Sequence, residues 1–429
     1  MSGWRYPLLD AMARRGPPSS TERTSIVVYS PGHLGDVLHA VPMLKALRTG
    51  KPKAKIVWLV GPWSEALARR YAADVDEIRV FGPNLPNYTR GNRKWCQSAL
   101  LQWRMAMALR REGMECLISP ADGVGRFLAN AICPKRWVGI GDWRPPRVRA
   151  EVQTHFQPYE KDRYEADALC GLLQPLGIEA HADRLEYAVT PEERKSADEF
   201  LRAEGMDLVR SLALIAPGSG WSGKNWLPDR FGEVAEWLAG LTLGDRELPE
   251  AGSCSSAAQG DWDLPASGKP GSAGTPRPTE SLCDRTWVGR TLRVSRSNCF
   301  QVAWVGGEGE QSLVPKSRAA DFNWAGKTPL PLLAAVMERA HLFIGNDGGL
   351  LHIAAALDVP TVSVWGPTSP GKWGPKGPIH RQIRKVEHCD GCIYWDYREA
   401  CRHDHACMKA VPIEEVQMAI SEVLRSGTP

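Results

Sequence analysis

The residues with the clearest chemical potential lie in one turn near the end of the chain. The run HLFIGNDGGLLHIAAALDVPTVSVWGPTSP spans residues 341–370, and between an apolar strand and a helix it places Asp347, Gly348, Gly349 and His352. The N-terminus of a helix presents free N–H groups and a partial positive charge, which suits a phosphate group. Glycines allow a ligand to approach the backbone closely. The pattern therefore predicts a site for a sugar bound through a diphosphate.

The same residues also have a purely structural interpretation. Asp347 could be a helix N-cap, because aspartate commonly accepts a hydrogen bond from the second or third amide of a helix. His352 could be a satisfied histidine on the packed face of that helix. Motifs elsewhere in the chain are needed to decide between the two interpretations.

A similar turn follows the first apolar strand of the chain. The sequence PGHLGD occupies residues 31–36, and Asp36 opens the next helix much as Asp347 does. If the two turns face each other across a cleft, one could hold a leaving diphosphate and the other could supply a base. The alternative for Asp36 is again a helix N-cap.

A third turn supplies a cation. The stretch PGSGWSGKNWLP, residues 217–228, follows an apolar strand and carries Ser219 and Lys224. A lysine in a Gly/Ser-rich turn at the carboxyl end of a strand favours pairing with a phosphate as a point charge, and a solvated surface lysine is the alternative. The P-loop pattern G-x-x-x-x-G-K-[ST] is absent.

Four cysteines near the C-terminus have the spacing of metal ligands. Cys389, Cys392, Cys401 and Cys407 form the pattern C-x2-C-x8-C-x5-C. Four thiolates suit a structural zinc or iron ion, and free or redox-active thiols are the alternative. Because the cluster lies beyond the predicted strands, we expect it to have no catalytic role.

These turns need strands and helices to position them. Apolar strands alternate with helices from residue 25 and again from residue 212, which is typical of parallel, doubly wound sheets. Ligands bind such sheets outside the carboxyl ends of the strands. We therefore predict an α/β protein with two Rossmann-like domains that face each other across a cleft, residues 25–189 and 190–388.

A dinucleotide-dependent dehydrogenase is the natural competitor for such a fold, and the sequence excludes it. The first turn lacks G-x-G-x-x-G, and Gly61 stands where an acidic residue would follow the second strand.

The remaining segments are predicted to lie outside the two sheets. We expect a flexible N-terminal arm, an insertion rich in Gly, Ser and Pro, a cysteine-rich metal knot and a C-terminal helical segment, at residues 1–24, 243–298, 389–411 and 412–429 respectively.

Length and composition narrow the function classes. A chain of 429 residues suffices for two domains and an insertion, and its net charge of +4 gives no reason to expect a nucleic-acid partner. No apolar run approaches the ~20 residues needed to span a bilayer. The first residues lack the apolar region of a secretory signal, and 11 cysteines in a chain this long favour reduced thiols or metal. We therefore expect a cytoplasmic protein.

Taken together, the motifs resemble those of glycosyltransferase family 9, the bacterial ADP-heptose:lipopolysaccharide heptosyltransferases. The matching stretches are GHLGDVLHAVPMLKALR, APGSGWSGKNWLPDRF, GGEGE and FIGNDGGLLHIAAALDVPTVSVWGPTSP, at residues 32–48, 216–231, 306–310 and 343–370. The resemblance implies a GT-B fold whose last helix crosses back to the first domain. It also implies an ADP-sugar donor and inversion at the anomeric carbon without a catalytic metal.

The resemblance further implies individual roles. Asp36 stands at the position of the proposed general base, Lys224 at that of the phosphate-binding lysine, and Asp347 at that of the acid that contacts sugar hydroxyls. The family's donor-binding positions correspond here to Ser219, Lys224, Glu310, Asp347, Gly348, Gly349 and His352. The family often has Ser or Thr where Gly348 stands, which removes one hydroxyl contact to phosphate.

The acceptor stays open between a lipopolysaccharide core, another glycan and a protein. The cysteine cluster resembles the iron-binding knot of the protein heptosyltransferases that modify autotransporters, and a peripheral contact with the inner membrane also stays open. Two function classes follow: an inverting glycosyltransferase, and a non-catalytic nucleotide-sugar-binding or scaffold protein of the same fold. The presence of Asp36, Lys224 and Asp347 favours the enzyme.

Overall fold

The computed structural model describes residues 24–30, 32–82, 94–141, 148–241, 300–315, 320–386, 401 and 403–426. The expected arm up to residue 23 and the expected insertion at 243–298 lie outside these residues, as do Cys389 and Cys392. Two six-stranded sheets form the framework, and all the strand pairs within them are parallel.

The first sheet forms because short apolar runs, buried on both faces, alternate with helices. Its strands are β1 (Ser25–Ser30), β2 (Lys55–Val60), β3 (Glu77–Val80), β4 (Cys116–Ile118), β5 (Arg136–Ile140) and β6 (Gln153–Gln157). They are arranged in the order β3-β2-β1-β4-β5-β6. The order reverses between β1 and β4, which makes that point the place where ligands bind in such sheets.

The second sheet repeats this arrangement. Its strands are β7 (Leu212–Ala216), β8 (Gln301–Trp304), β9 (Phe322–Asn323), β10 (Leu342–Asn346), β11 (Thr361–Trp365) and β12 (His380–Arg384). Their order, β12-β11-β10-β7-β8-β9, is that of the first sheet read from the other edge. Its reversal point lies between β7 and β10, the two strands that precede the predicted lysine and aspartate turns.

The helices cover the two sheets and fill the space between them. They are α1 (Leu34–Gly50), α2 (Glu65–Ala68), α3 (Lys94–Arg111), α4 (Gly123–Ile132), α5 (Glu165–Gly171), α6 (Pro191–Ala203), α7 (Pro228–Ala239), α8 (Leu330–Met337), α9 (Gly349–Ala356), α10 (Pro370–Trp373), α11 (Ala406–Lys409) and α12 (Ile413–Ser426). Short 3-10 turns add Arg69–Asp74, Gln174–Leu176, Ser222–Lys224 and Glu308–Leu313. None of the helices in the described part of the chain is long and apolar enough to cross a membrane.

The predicted α/β architecture with two facing sheets, that of the GT-B fold, is confirmed. Three strands were missed, namely β6, β9 and β12. Their sequences QTHFQ, FN and HRQIR carry polar side chains because they lie at sheet edges, where burial is incomplete. Helix α5 ends at Gly171, and the chain then passes through a 3-10 turn that contains Pro175.

The last helix differs from the expectation that it crosses back to the first domain. The apolar side chains of Val416, Ile420 and Val423 lie in the same buried cluster as Val364 of β11. Within the described residues, α12 packs mainly on β11, β12 and α7. A helix with one apolar stripe buries that stripe on the nearest apolar surface, and here that surface is the second sheet.

The two domains meet over an apolar and partly charged contact. Helix α1 of the first domain packs against α9 of the second, and one core cluster contains Leu38 of α1 together with Leu351 of α9. At the side of this contact Lys372 of α10 forms an ion pair with Glu165 of α5, at 2.6 Å. The contact therefore brings the N-terminal ends of α1 and α9 together.

Candidate functional site

The predicted site residues lie where the strand order reverses in each sheet. The turn after β1 carries Asp36, the turn after β7 carries Lys224, and the turn after β10 carries Asp347. Because carboxyl ends of parallel strands share one edge, the last two turns are neighbours, and the domain contact brings the first turn to face them.

Asp347 is buried and its carboxylate is bound on one side. Its Oδ2 lies 2.7 Å from Lys224 Nζ and accepts a hydrogen bond of 2.6 Å from the Thr368 hydroxyl. Helix α9 begins after Asp347, with Gly348 at the N-cap position. The interpretation of Asp347 as a helix cap is therefore wrong, because the carboxylate faces Lys224 and Thr368.

The charge state of Asp347 follows from these neighbours. Burial by itself would raise the pKa of Asp347, but Lys224 and His352 outweigh that effect and lower this pKa well below its usual range. His352 Nε2 lies 3.8 Å from Asp347 Oδ1. The site thus holds a permanently charged carboxylate that is balanced by a cation.

Asn346 fixes the lysine turn to β10. Its side-chain oxygen accepts from the backbone N–H of Trp226 at 2.9 Å, and its side-chain nitrogen donates to the carbonyl of Pro217 at 2.8 Å. These two bonds join both ends of the loop that carries Lys224. A buried amide that satisfies two backbone groups is a precise spacer, because unpaired groups at that depth would be costly.

Ser219 and Glu310 complete the second-domain side. The Ser219 hydroxyl donates to Asn225 Oδ1 at 2.6 Å, and a Cβ placed on Gly348 would lie 3.5 Å from Ser219 Cβ. A Cβ on Gly218 would lie only 2.4 Å from the carboxyl carbon of Glu310. The structure therefore places both Ser219 and Glu310 at the turn that also carries Lys224.

Two glycines allow the turns of the two domains to meet. A Cβ on Gly35 would lie 2.5 Å from His352 Cδ2, and one on Gly349 would lie 3.0 Å from Leu34 Cβ. Larger residues at these positions would push α1 and α9 apart. Gly349 is thus needed for the domain contact as well as for its place in the predicted phosphate turn.

Asp36 has a capping role that the sequence left open. It is the third residue of α1, and its Oδ2 accepts a 2.6 Å hydrogen bond from the backbone N–H of His33. The N-cap of α1 is His33, and not Asp36 as the N-cap interpretation required; Asp36 instead binds the N-cap residue from the third position of the helix. The half-buried carboxylate has a second oxygen, so capping and a role as base are compatible in this geometry.

A buried aromatic and histidine cluster was missed by the sequence analysis. His39, one helical turn after Asp36, stacks on Trp373 with ring centroids 5.5 Å apart and contacts His352 at 4.9 Å. Neither ring nitrogen of His39 has a hydrogen-bond partner among the described residues. Burial lowers the pKa of His39 well below its ordinary value, and the neighbouring His352 and Lys372 act in the same direction.

The ion pair between Glu165 and Lys372 lies next to this cluster. Tyr164, which precedes Glu165, contacts His39 with ring centroids 5.4 Å apart, and Trp373 follows Lys372. Burial raises the pKa of Glu165, although Lys372 acts in the opposite direction. The charge of Asp36 also raises the pKa of Glu165, which shows that the pair and the turn after β1 share one electrostatic environment.

The described part of the cysteine cluster lies beside the lysine turn. The backbone N–H of His405 donates to Cys401 Sγ at 3.3 Å, and the His405 ring lies 6.5 Å from that of Trp221. Cys407 is buried beneath Gly366. With Cys389 and Cys392 outside the described residues, the four-cysteine site stays a prediction.

The arrangement can bind an anion and hydroxyl groups side by side. The first amides of α9 and the ammonium group of Lys224 suit a phosphate, while Asp347 Oδ1 can accept from a hydroxyl. Across the contact, Asp36 supplies a carboxylate of the other domain. A diphosphate sugar and an attacking hydroxyl would match these groups.

Comparisons with known proteins point in the same direction. Residues 301–401 match the family described as Glycosyltransferase family 9 (heptosyltransferase). The lipopolysaccharide core heptosyltransferase OpsX of Haemophilus influenzae is 20% identical over 369 residues, which is 85% of each chain. The matched family region contains Glu310, Asp347, Gly348, Gly349 and His352.

Solved structures share the fold. The glycosyltransferase family 9 protein of Veillonella parvula superposes with a TM-score of 0.60 at 20% identity, covering 94% of this chain and 97% of that one. The E. coli ADP-heptose lps heptosyltransferase II also gives a TM-score of 0.60, at 15% identity, and covers 94% of this chain and 99% of that one. The likeness extends the shared fold beyond the matched family region to both sheets.

The buried His39 predicts a specific pH dependence of stability. Since the folded state lowers the pKa of His39, its neutral form is favoured, and stability should be lost as pH falls below the unfolded pKa of about 6.5. Between about pH 7.5 and about pH 5.5, we expect the wild type to lose ~1.4 kcal/mol more than the variant His39→Leu. Urea unfolding at both pH values measures this difference.

The control is His155→Leu, which removes an exposed histidine from β6. It should follow the wild type at both pH values. Parallel pH profiles for the wild type and His39→Leu would show that His39 does not stay neutral in the folded protein.

Proposed function

We propose that the protein is an inverting glycosyltransferase that transfers a heptose or similar sugar from an ADP-sugar to an acceptor hydroxyl. The observation that carries this proposal is the buried pair of Asp347 and Lys224 at the N-terminus of α9, which faces the Asp36 turn of the other domain. The family match over residues 301–401 supports the sugar-nucleotide class, and two of the similar proteins, OpsX and the E. coli heptosyltransferase II, are heptosyltransferases by name.

In the proposed reaction, Asp36 accepts the proton of the acceptor hydroxyl as its oxygen attacks the anomeric carbon. The new bond forms on the face opposite the diphosphate, and the bond from that carbon to the diphosphate oxygen breaks. The electron pair leaves with ADP. Lys224 and the first amides of α9 stabilise the charge that develops on the leaving group, so that the reaction needs no catalytic metal.

Four residues have supporting roles in this proposal. Asp347 accepts from sugar hydroxyls, and Glu310, held against Gly218, accepts from the ribose of the nucleotide. His352 contacts Asp347 and closes the turn against Gly35. Ser219 lies against Gly348, so its hydroxyl is close to the position at which the family often has Ser or Thr.

The acceptor is proposed to be a lipopolysaccharide core, another glycan or a protein, in the cytoplasm. The alternative is a protein that binds the nucleotide sugar without turnover. The presence of Asp36, which contributes to binding only through the acceptor, favours the enzyme over this alternative. Release of ADP from ADP-heptose, with and without an acceptor extract, distinguishes the two functions.

Substitutions of Asp36 and Asp347 should differ in their effects on turnover and on donor binding. Asp36→Asn keeps an oxygen that can cap His33 but cannot take a proton, so kcat should fall by about 10²–10⁴ while donor affinity barely changes. Asp347→Ala removes a contact present before and during transfer, so the sugar nucleotide should bind much more weakly and free ADP only slightly less. Calorimetric donor titration beside a turnover assay measures both effects.

The matched control is Thr190→Ala, which removes the N-cap of α6, where the Thr190 hydroxyl accepts from the backbone N–H of Glu193. It should cost about 0.5–2 kcal/mol of stability and leave turnover intact. Full activity in Asp36→Asn would remove the proposed base and with it this mechanism.

We propose that the four cysteines hold one structural iron or zinc ion. The N–H donated to Cys401 Sγ and the burial of Cys407 fit thiolate ligands. When bound, the ion would tie residues 389–411 together and take no part in transfer.

Elemental analysis of anaerobically purified protein should give about one metal per chain, lost in Cys401→Ser and kept in Cys133→Ser. Metal far below one equivalent, with all four thiols titratable in the native protein, would contradict the proposal.

We propose that α3 provides the peripheral membrane contact. Leu100 and Leu101 are 51% and 63% exposed, Arg104 lies on the same side, and the helix sequence contains no acidic residue. Because α3 runs antiparallel to the strands, its N-terminal half lies at the sheet edge that carries the Asp36 turn. Exposed leucines beside arginine suit an anionic bilayer.

Sedimentation with anionic phospholipid vesicles tests this contact. Replacing Leu100 and Leu101 by Gln should lower vesicle binding at least about tenfold, because each buried leucine contributes roughly 1.5–3 kcal/mol. Gln at Leu208 and Val209, which are 53% and 75% exposed, is the matched control and should bind as the wild type does. Wild-type protein that stays in the supernatant would rule out the contact.

A further inference from the structure

The turn that carries the proposed base is held by the loop after β2. The indole Nε1 of Trp63 donates to the carbonyl of Gly32 at 2.8 Å, and the Ser64 hydroxyl donates to the same carbonyl at 2.8 Å. Ser64 is itself bonded through its N–H to the carbonyl of Gly61 at 3.1 Å. Two donors on one carbonyl fix the position of the Gly32 peptide next to His33.

The Trp63 ring is oriented by this bond and is not fully covered. Its centroid lies 6.0 Å from that of His33, with the two rings inclined by 34°, and the His33 side chain is exposed. Many tryptophans of the chain are fully buried instead, among them Trp58, Trp137, Trp226, Trp304, Trp324 and Trp365. Trp63 is thus a half-buried aromatic ring held against the turn that carries Asp36.

The acceptor must come to this place if Asp36 is the base. A general base needs to lie within about 2.6–3.2 Å of the hydroxyl whose proton it takes. Asp36 is bonded to the backbone of His33, so a moiety that brings this hydroxyl to Asp36 can extend over His33 and Trp63, over the neighbouring turns of the first domain or over the opposite domain. In the proposed function, the second domain binds the donor.

We propose that Trp63 and His33 form an aromatic platform for a sugar ring of the acceptor. This inference rests on the proposed function and deepens it, because it selects a glycan over a protein side chain as the acceptor. A pyranose presents a face of C–H groups, and the electron-rich face of an aromatic ring attracts such groups while excluding water from them. A serine or threonine hydroxyl of a protein carries no such face.

The platform has to be distinguished from a purely supporting role of Trp63. As a support, Trp63 would act through its N–H on the Gly32 carbonyl, and any loss of that donor would matter. As a platform, it acts through its ring face, and another aromatic residue would replace it. Trp63→Phe keeps a ring and removes the donor, whereas Trp63→Leu removes both.

The experiment measures binding of a fluorescently labelled lipopolysaccharide-core oligosaccharide in the presence of ADP. Trp63→Leu should weaken oligosaccharide binding by about tenfold, as expected for a lost aromatic contact, and Trp63→Phe by less than about threefold. The ADP dissociation constant, measured by calorimetry, should stay within about twofold of wild type in both variants. Trp237→Leu, at a half-buried tryptophan of α7, is the matched control and should leave oligosaccharide binding unchanged.

The outcomes distinguish failure of the aromatic platform from failure of the proposed transferase function. Equal oligosaccharide affinity in the wild type and Trp63→Leu overturns the platform, and so does equal loss in Trp63→Phe and Trp63→Leu. Wild-type protein that binds ADP and transfers heptose to a protein acceptor, yet does not bind the oligosaccharide, overturns the platform and leaves the proposed transferase intact. Failure to bind ADP or to turn over ADP-heptose counts against the proposed function, and the oligosaccharide titration still reports on Trp63.

Discussion

The buried contact between Asp347 and Lys224 is the constraint on which the site depends. A carboxylate at this depth is costly to desolvate, and a single missing partner would leave it unbalanced. Here the lysine, the Thr368 hydroxyl and His352 all face it, while Asn346 holds the loop that brings the lysine. Buried pairs of this kind contribute little net stability. This one is better understood as a fixed arrangement of charge, and the second sheet, with its reversal between β7 and β10, is what holds it in place.

The first domain repeats the same geometry with a different result. Its reversal point also carries a strand, a glycine turn and a helix that opens with an acid, yet Asp36 caps its own helix while Asp347 does not. The difference comes from the position along the helix: Asp36 is the third residue of α1, whereas Asp347 precedes the N-cap of α9, four positions earlier. One carboxylate oxygen of the half-buried Asp36 therefore binds the first turn of its own helix. The surroundings of the carboxylate include Glu165 and the aromatic residues near His39.

The local sequence pattern was enough to predict the three turns of the site, but it did not predict which residues these turns contact. Asp36, Lys224 and Asp347 follow buried apolar strands with glycines beside them, and such signals lie within a few residues of each other. His39, Lys372 and Glu165 were missed because their roles depend on how the two domains approach, which no local spacing encodes. Asn346 stood inside the predicted turn, but its two bonds run to residues over a hundred positions away. The capping ambiguity could not be resolved either, since the same residue type serves caps and sites.

The distribution of charge around Asp347 also constrains how a donor would be held in the proposed complex. Lys224 and Thr368 both contact Oδ2, whereas Oδ1 lies on the side of His352. A diphosphate would be repelled by the carboxylate, and it must therefore approach Lys224 and the α9 amides from the side away from Asp347. In the proposed complex, the sugar would then lie between the phosphate and Oδ1, with its anomeric carbon turned toward the first domain. Gly35 and Gly349 permit the close contact between the two domains, because side chains at these positions would push α1 and α9 apart. Such a separation would also move the carboxylate of Asp36 away from the anomeric carbon in the proposed complex.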